Sequence, residues 1–265
     1  MEKYQNKSYN GLSFDALKQF LDAKVKQYNT NKFIENDPIQ IPYLFSKNED
    51  IEISAFLTAT IAWGNRKSII QNAKRLMERM DNAPYDFVCM HQSNDLKVFD
   101  GFVHRTFNAQ DAVQFIKSLK HIYTTYGCIE NVFSKYSEEG SLQNAIHHFK
   151  NHFFEIEHLK RTKKHISDPL NKSAAKRINM FLRWMVRPNN CGVDFGIWKD
   201  LNTAQLSCPL DVHSGNVARK LGLLKRHQND AKAVKELDNN LRKFDQTDPV
   251  KYDFALFGLG VFEKF

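Results

Sequence analysis

The chain has 265 residues, of which 42% are apolar and 12% aromatic, so a substantial packed core is available and a disordered or fibrous protein is excluded. Its net charge of +8 favours a polyanionic partner, because Lys and Arg that neutralise phosphates release condensed counterions. The opening MEKYQNKSYN has no signal-peptide pattern, no apolar run approaches the roughly 20 residues that span a bilayer, and Cys89, Cys128, Cys191 and Cys208 lack CxxC spacing; a soluble cytoplasmic protein with reduced cysteines is expected, with no membrane partner and no zinc ribbon.

Helical periodicity dominates and alternating β-branched runs are nearly absent, which predicts an all-α fold. Phe14, Leu17, Phe20 and Leu21 form a first stripe, followed by a connector broken by Asn, Asp and Pro. Ile53, Phe56, Leu57, Thr60 and Ile61 make a second face; Trp63, Gly64 and Asn65 interrupt it before Ile69, Ile70, Ala73 and Leu76 begin another. A further stripe from Ala112 to Tyr123 ends at Gly127, where a glycine helix stop is expected, and Leu142, Ile146, Phe149 and Phe153 continue the series.

At Leu159 the character changes: LKRTKKH is read as a basic loop, and SDPLNKS supplies turn and helix-start residues. In the helix that follows, Ala174, Ile178, Phe181, Leu182 and Met185 predict one buried face, with Lys176, Asn179, Arg183 and Arg187 opposite. Pro188 stops this helix, Asp211 is the expected N-cap of the next, and the apolar ending DPVKYDFALFGLGVF is expected to dock against the first helix.

N-glycosidic cleavage by an amine needs an uncharged lysine to attack the sugar C1′ and a carboxylate to stabilise the cationic sugar and handle protons. Lys176, among arginines, and Asp211, at the positive end of a helix, are the residue types for those roles. The plain alternatives are a solvated lysine and an aspartate that only caps its helix.

ISAFLTATIAWGNRKSIIQNAKRLM resembles the first helix pair of the helix-hairpin-helix DNA glycosylase superfamily, and PLDVHSGNVARKLGL resembles its catalytic-aspartate helix. KRINMFLRWMVR is similar to the lysine-bearing helix of the archaeal 8-oxoguanine glycosylase branch, and the whole chain resembles an uncharacterised bacterial family related to that superfamily. The resemblance implies two helical lobes with a cleft between them, 50–205 with a variant hairpin at about 165–187, and 1–49 together with 206–265. It implies a base-excision DNA glycosylase, with or without AP-lyase activity and by analogy on an oxidised purine, in which Lys176 forms a Schiff base and Asp211 assists. A cytoplasmic monomer acting on damaged duplex DNA is expected, nucleoid-associated in a bacterial cell. The family's Leu-Pro-Gly-Val-Gly hairpin is replaced by the glycine-free SDPLNKSAAKR, and the 35 positions from Lys176 to Asp211 exceed the usual separation, which requires an insertion to loop out.

Lys172, four residues earlier on nearly the same helical face, is the rival nucleophile. Trp63 falls where relatives wedge a residue into the duplex, the alternative being a core tryptophan; with Asn65, Lys160, Arg161, Lys163, Lys164, Lys172, Arg183 and His213 it completes the expected nucleic-acid contacts. His148 and His152 have i, i+4 spacing but no third ligand of defined spacing, and no cysteine follows Cys208, so neither a metal nor an iron–sulfur cluster nor another cofactor is expected. A second reading is a non-catalytic nucleic-acid-binding protein that keeps the glycosylase scaffold.

Overall fold

The Ser13 hydroxyl accepts the Ala16 N–H at 3.2 Å and starts α1 (Phe14–Tyr28), which buries Leu17 and Leu21. The structure, a computed structural model, describes residues 11–188 and 191–265 and is mostly helical; the opening ten residues, read above as free of a signal segment, lie outside it. The connector after α1 folds as three short 3-10 turns, the second and third opening on Pro38 and Pro42. Then come α2 (Asn48–Thr60), α3 (Arg66–Glu78) and α4 (Pro84–Met90). A small antiparallel hairpin follows, β1 (Val103–His104) paired with β2 (Phe107–Asn108). α5 (Ala109–Tyr126) opens with a reciprocal cap between Asn108 and Asp111 and closes at Gly127, whose φ of +85° is the expected glycine stop.

α6 (Ile129–Lys135) and α7 (Gln143–Phe153) precede α8 (Lys176–Val186), α9 (Val212–Lys220), α10 (Ala231–Phe244) and α11 (Tyr252–Val261). The apolar residues form two clusters. The larger joins α2 to α8 and centres on Phe56, whose ring lies 5.4–5.9 Å from those of Phe115, Phe149, Phe153 and Phe181. The smaller joins α1, α9, α10 and α11, so the last helix docks on the first as expected.

Two expectations are corrected. The LKRTKKH segment is a 3-10 helix, Lys160–His165, that buries Thr162 and His165, because Thr162 donates to the buried Asp111 at 2.7 Å. α8 begins at Lys176, and every residue from Ile178 to Val186 is buried, so it has no solvated opposite face. Its amide and guanidinium groups find partners inside the protein: Asn179 accepts from Gln143 at 3.1 Å, Arg183 pairs with Asp194 and Asp253, and Arg187, just past the helix end, pairs with Asp194 and Asp248.

Candidate active site

The α2–α3 turn, the start of α8, the start of α9, the middle of α11 and the turn around Asp37 surround a cleft of about 510 Å³. Its walls carry the aromatic rings of Phe33, Trp63 and Phe257, and its charged lining includes Asp37, Arg66, Lys176, Arg183, Asp211 and Asp253. Apolar walls with a few convergent polar groups are the usual composition of a ligand pocket, and the volume falls in the usual range.

Lys176 is the first residue of α8, and its Nζ stands 4.0 Å from Oδ2 of Asp211, with both side chains about a quarter exposed at the cleft wall. Nζ also lies 3.7 Å from the Met180 sulfur, one turn further along. Asp211 is the N-cap of α9: its Oδ1 accepts the backbone N–H groups of His213 at 2.8 Å and Ser214 at 3.0 Å. The Ser214 hydroxyl in turn accepts the Asp211 N–H at 3.0 Å, and Asn229 donates to the Asp211 carbonyl at 2.9 Å. One carboxylate oxygen is thus fixed by the helix end while the other faces the lysine. Glycine at 260 lets α11 approach the start of α9, since a β-carbon there would stand 3.1 Å from the His213 backbone oxygen.

Two acidic residues of the cleft were not singled out in the sequence. Asp253, on α11, is held by the Arg183 guanidinium, and burial together with the nearby Asp211 charge pushes its carboxyl up to about 6 although Arg183 and Lys176 oppose the shift. Asp37 caps the turn at Pro38–Gln40, accepting the Ile39 N–H at 3.1 Å, and burial raises its carboxyl also. The available signal for Asp253 was a charge inside an otherwise apolar helical run. For Asp37 it was an Asp-Pro pair that also reads as a plain turn.

The family model for proteins of unknown function (DUF2400) matches residues 37–262, a span that contains every one of these cleft residues except Phe33. The chain belongs to that family. Neither the curated proteins nor the solved structures contain a match.

Within this member of the family, the cleft gathers Lys176, Asp211, Trp63, Arg183 and His213 from the residues nominated by sequence, and omits others. Lys172 is not on α8. Asp168 and Pro169 open a 3-10 turn that ends there, leaving Lys172 exposed in the left-handed region with φ +69°, so the shared helical face does not exist. Ala175, just before the helix, has φ +47°, and the glycine-free segment is tied to the start of α10 by the Ala231 N–H, which donates to the Lys172 carbonyl at 3.1 Å.

Arg183 is a second correction. It is 3% exposed and spent on two aspartates, which makes it part of the cleft floor rather than a surface phosphate contact. Trp63 is half-buried between the Arg177 guanidinium, 4.6 Å from its ring, and His165, stacked at 5.9 Å; it forms a wall rather than a free wedge. Burial pulls the His165 ring down to about 4 although Asp111 lies 3.2 Å away, so on this side Trp63 meets an uncharged imidazole at neutral pH. Asn65 spends its Oδ1 on the Ser68 N–H at 3.1 Å as the cap of α3.

Lys160, Arg161, Lys163 and Lys164 are exposed on the 3-10 helix whose His165 stacks on Trp63. His148 stacks on Tyr136 at 4.1 Å, and His152 is bonded to Tyr126, Tyr136 and Glu155. Among the described residues no group of three metal-ligating side chains converges, and no helix is long and apolar enough to cross a membrane.

Proposed function

We propose that this protein is a DNA base-excision glycosylase with a helix-hairpin-helix glycosylase-like fold of two helical lobes, in which Lys176 is the nucleophile and Asp211 its carboxylate partner. The observation that carries the reading is the convergence of the Lys176 amine and the free Asp211 oxygen to 4.0 Å at an aromatic-walled cleft. Nothing in the chain between them dictates it. The two apolar clusters, with cleft-lining residues drawn from elements of both, fit a two-lobed arrangement.

In this reading a damaged nucleotide leaves the duplex and its base enters between the rings of Phe33, Trp63 and Phe257. The neutral Lys176 amine forms a bond from Nζ to C1′ as the bond from C1′ to the base nitrogen breaks, and the base departs with the bonding pair. Asp211 stabilises the positive charge that develops on the sugar and accepts the proton lost from the new ammonium, while the departing base takes a proton from solvent or from a protonated carboxyl in the cleft. The sugar ring then opens: the C1′–O4′ bond breaks as the nitrogen lone pair forms the C=N bond, O4′ takes back the proton held by Asp211, and the product is a protonated imine between Lys176 and C1′, the Schiff base from which strand cleavage by β-elimination proceeds.

The test is covalent trapping. Duplexes carrying 8-oxoguanine, uracil or an abasic site are incubated with the protein and borohydride, which reduces the imine to a stable adduct. An adduct that disappears in Lys176→Gln, with DNA affinity largely kept, is expected. Full trapping in that variant overturns the assignment of the lysine. Salt-sensitive binding with no adduct on any duplex supports instead the second reading, a non-catalytic binding protein, which the glycine-free segment before α8 favours.

A further inference from the structure

We propose that the β1–β2 hairpin is a second DNA contact, with Arg105 at its tip seated on a backbone phosphate beside the cleft. The identity of the polyanion rests on the glycosylase reading; the placement of the cation rests on the hairpin itself.

The loop joining the strands has two residues, and its first, Arg105, has φ +54°, in the left-handed region that favours glycine. A side chain there is held against a conformational cost that glycine would not carry. Arg105 is exposed, and among the described residues it makes no hydrogen bond or ion pair within the protein. Its side chain reaches back over the α2–α3 turn. A β-carbon placed on Gly64 would stand 2.9 Å from a guanidinium nitrogen of Arg105 and 3.1 Å from its Cδ, and Gly64 lines the cleft.

The hairpin is a firm base for this charge. His104 is buried edge-on to Trp63 at 5.2 Å with its Nε2 3.3 Å from the Trp63 carbonyl, and the buried Phe107 packs on Phe115 at 5.3 Å. Arg161 donates to the Thr106 carbonyl at 3.0 Å, which brings the exposed Lys160, Lys163 and Lys164 alongside. Arg66 and Lys67, at the start of α3, follow the Gly64 turn in the chain, and the Arg66 guanidinium lies 5.3 Å from the Phe257 ring at the cleft. One carboxylate in this region, Asp111, is buried beneath the rim and already takes Arg161, Thr162 and the Asn108 N–H. Positive side chains from separate stretches of the chain therefore form one rim, complementary to a strand of evenly spaced phosphates.

The experiment measures the dissociation constant of an undamaged duplex by fluorescence anisotropy as KCl is raised from about 50 to about 300 mM. Arg105→Asn removes the charge with a residue that tolerates positive φ, so its melting temperature should equal or exceed the wild type. The expected result is a salt slope smaller by about one and binding roughly fivefold to tenfold weaker at about 0.1 M salt, with Arg105→Lys restoring the slope. Salt-sensitive wild-type binding with an unchanged slope in Arg105→Asn overturns this contact alone. No salt-sensitive binding by the wild type overturns both this contact and the glycosylase reading. Binding that depends on Arg105 without a borohydride adduct supports the contact and counts against the enzyme.

Discussion

Asp211 presents its two carboxylate oxygens to different tasks: Oδ1 closes the first turn of α9, while Oδ2 stands 4.0 Å from the amine of Lys176, 35 positions earlier in the chain. The capping bonds fix the carboxylate in space, and in the proposed glycosylase reaction such preorganised charge would stabilise the developing sugar cation.

Asp211→Asn separates those tasks. Asparagine caps helices about as well as aspartate, so thermal unfolding should change little while the negative charge is lost. Trapped adduct should form at least about 100-fold more slowly than in the wild type. Asp211→Ala should lose the same activity and in addition about 0.5–2 kcal/mol of stability. Equal melting but undiminished trapping in Asp211→Asn would remove this carboxylate from the chemistry.

Gly64→Ala places a β-carbon on a residue with φ +100°. The backbone strain should cost about 1–2 kcal/mol, seen as a melting point lower by a few degrees. The same β-carbon displaces the Arg105 side chain that rests on this glycine, so DNA binding should lose part of its salt dependence. A variant with unchanged melting and binding would show that the turn has relaxed into a conformation open to any residue.

Arg183→Met leaves Asp194 and Asp253 without their shared cation in a buried setting. Removing one partner from such a network typically costs about 3–5 kcal/mol, measurable by chemical denaturation. Because Arg183 is buried, the salt slope of DNA binding by folded protein should not change. A smaller slope with near-normal stability would reassign this side chain to the nucleic acid.

Asp238 on α10 gives the fold a pH signature. Burial pushes its carboxyl from 3.8 up to about 6, although it accepts the Cys208 N–H at 2.9 Å and faces Arg242. A carboxyl raised in the folded state holds its proton better there than in the unfolded chain. Its contribution is therefore complete below about pH 4 and is lost as pH rises through about 6, up to about 3 kcal/mol. Asp238→Asn stays neutral throughout, so its stability relative to the wild type should improve between about pH 4 and about pH 7. Parallel stability curves over that range would contradict the shift.

The legible parts of the fold were those set by neighbours in the chain. The stripe in α1, the turn at Trp63 to Asn65, the stop at Gly127 and the cap at Asp211 each follow from side chains and backbone groups within about four residues. Lys172 was placed on the helical face of Lys176 because a turn that ends in a left-handed lysine carries no local mark: glycine or asparagine would have announced it. Arg183 and Arg187 looked solvent-facing because the aspartates that neutralise them lie outside their own helix.

By itself the sequence determined that the chain is helical, basic and rich enough in apolar surface for a large core, and it marked Lys176 and Asp211 as the residue types for amine chemistry. Only the tertiary structure decided that their side chains meet, that Asp37 and Asp253 join them, and that Arg105 comes to rest on Gly64. Helix periodicity and capping are local interactions, whereas these meetings depend on how α8, α9, α11 and the hairpin pack. That packing is set by the summed burial of many side chains remote from the cleft, and no short stretch of sequence carries it.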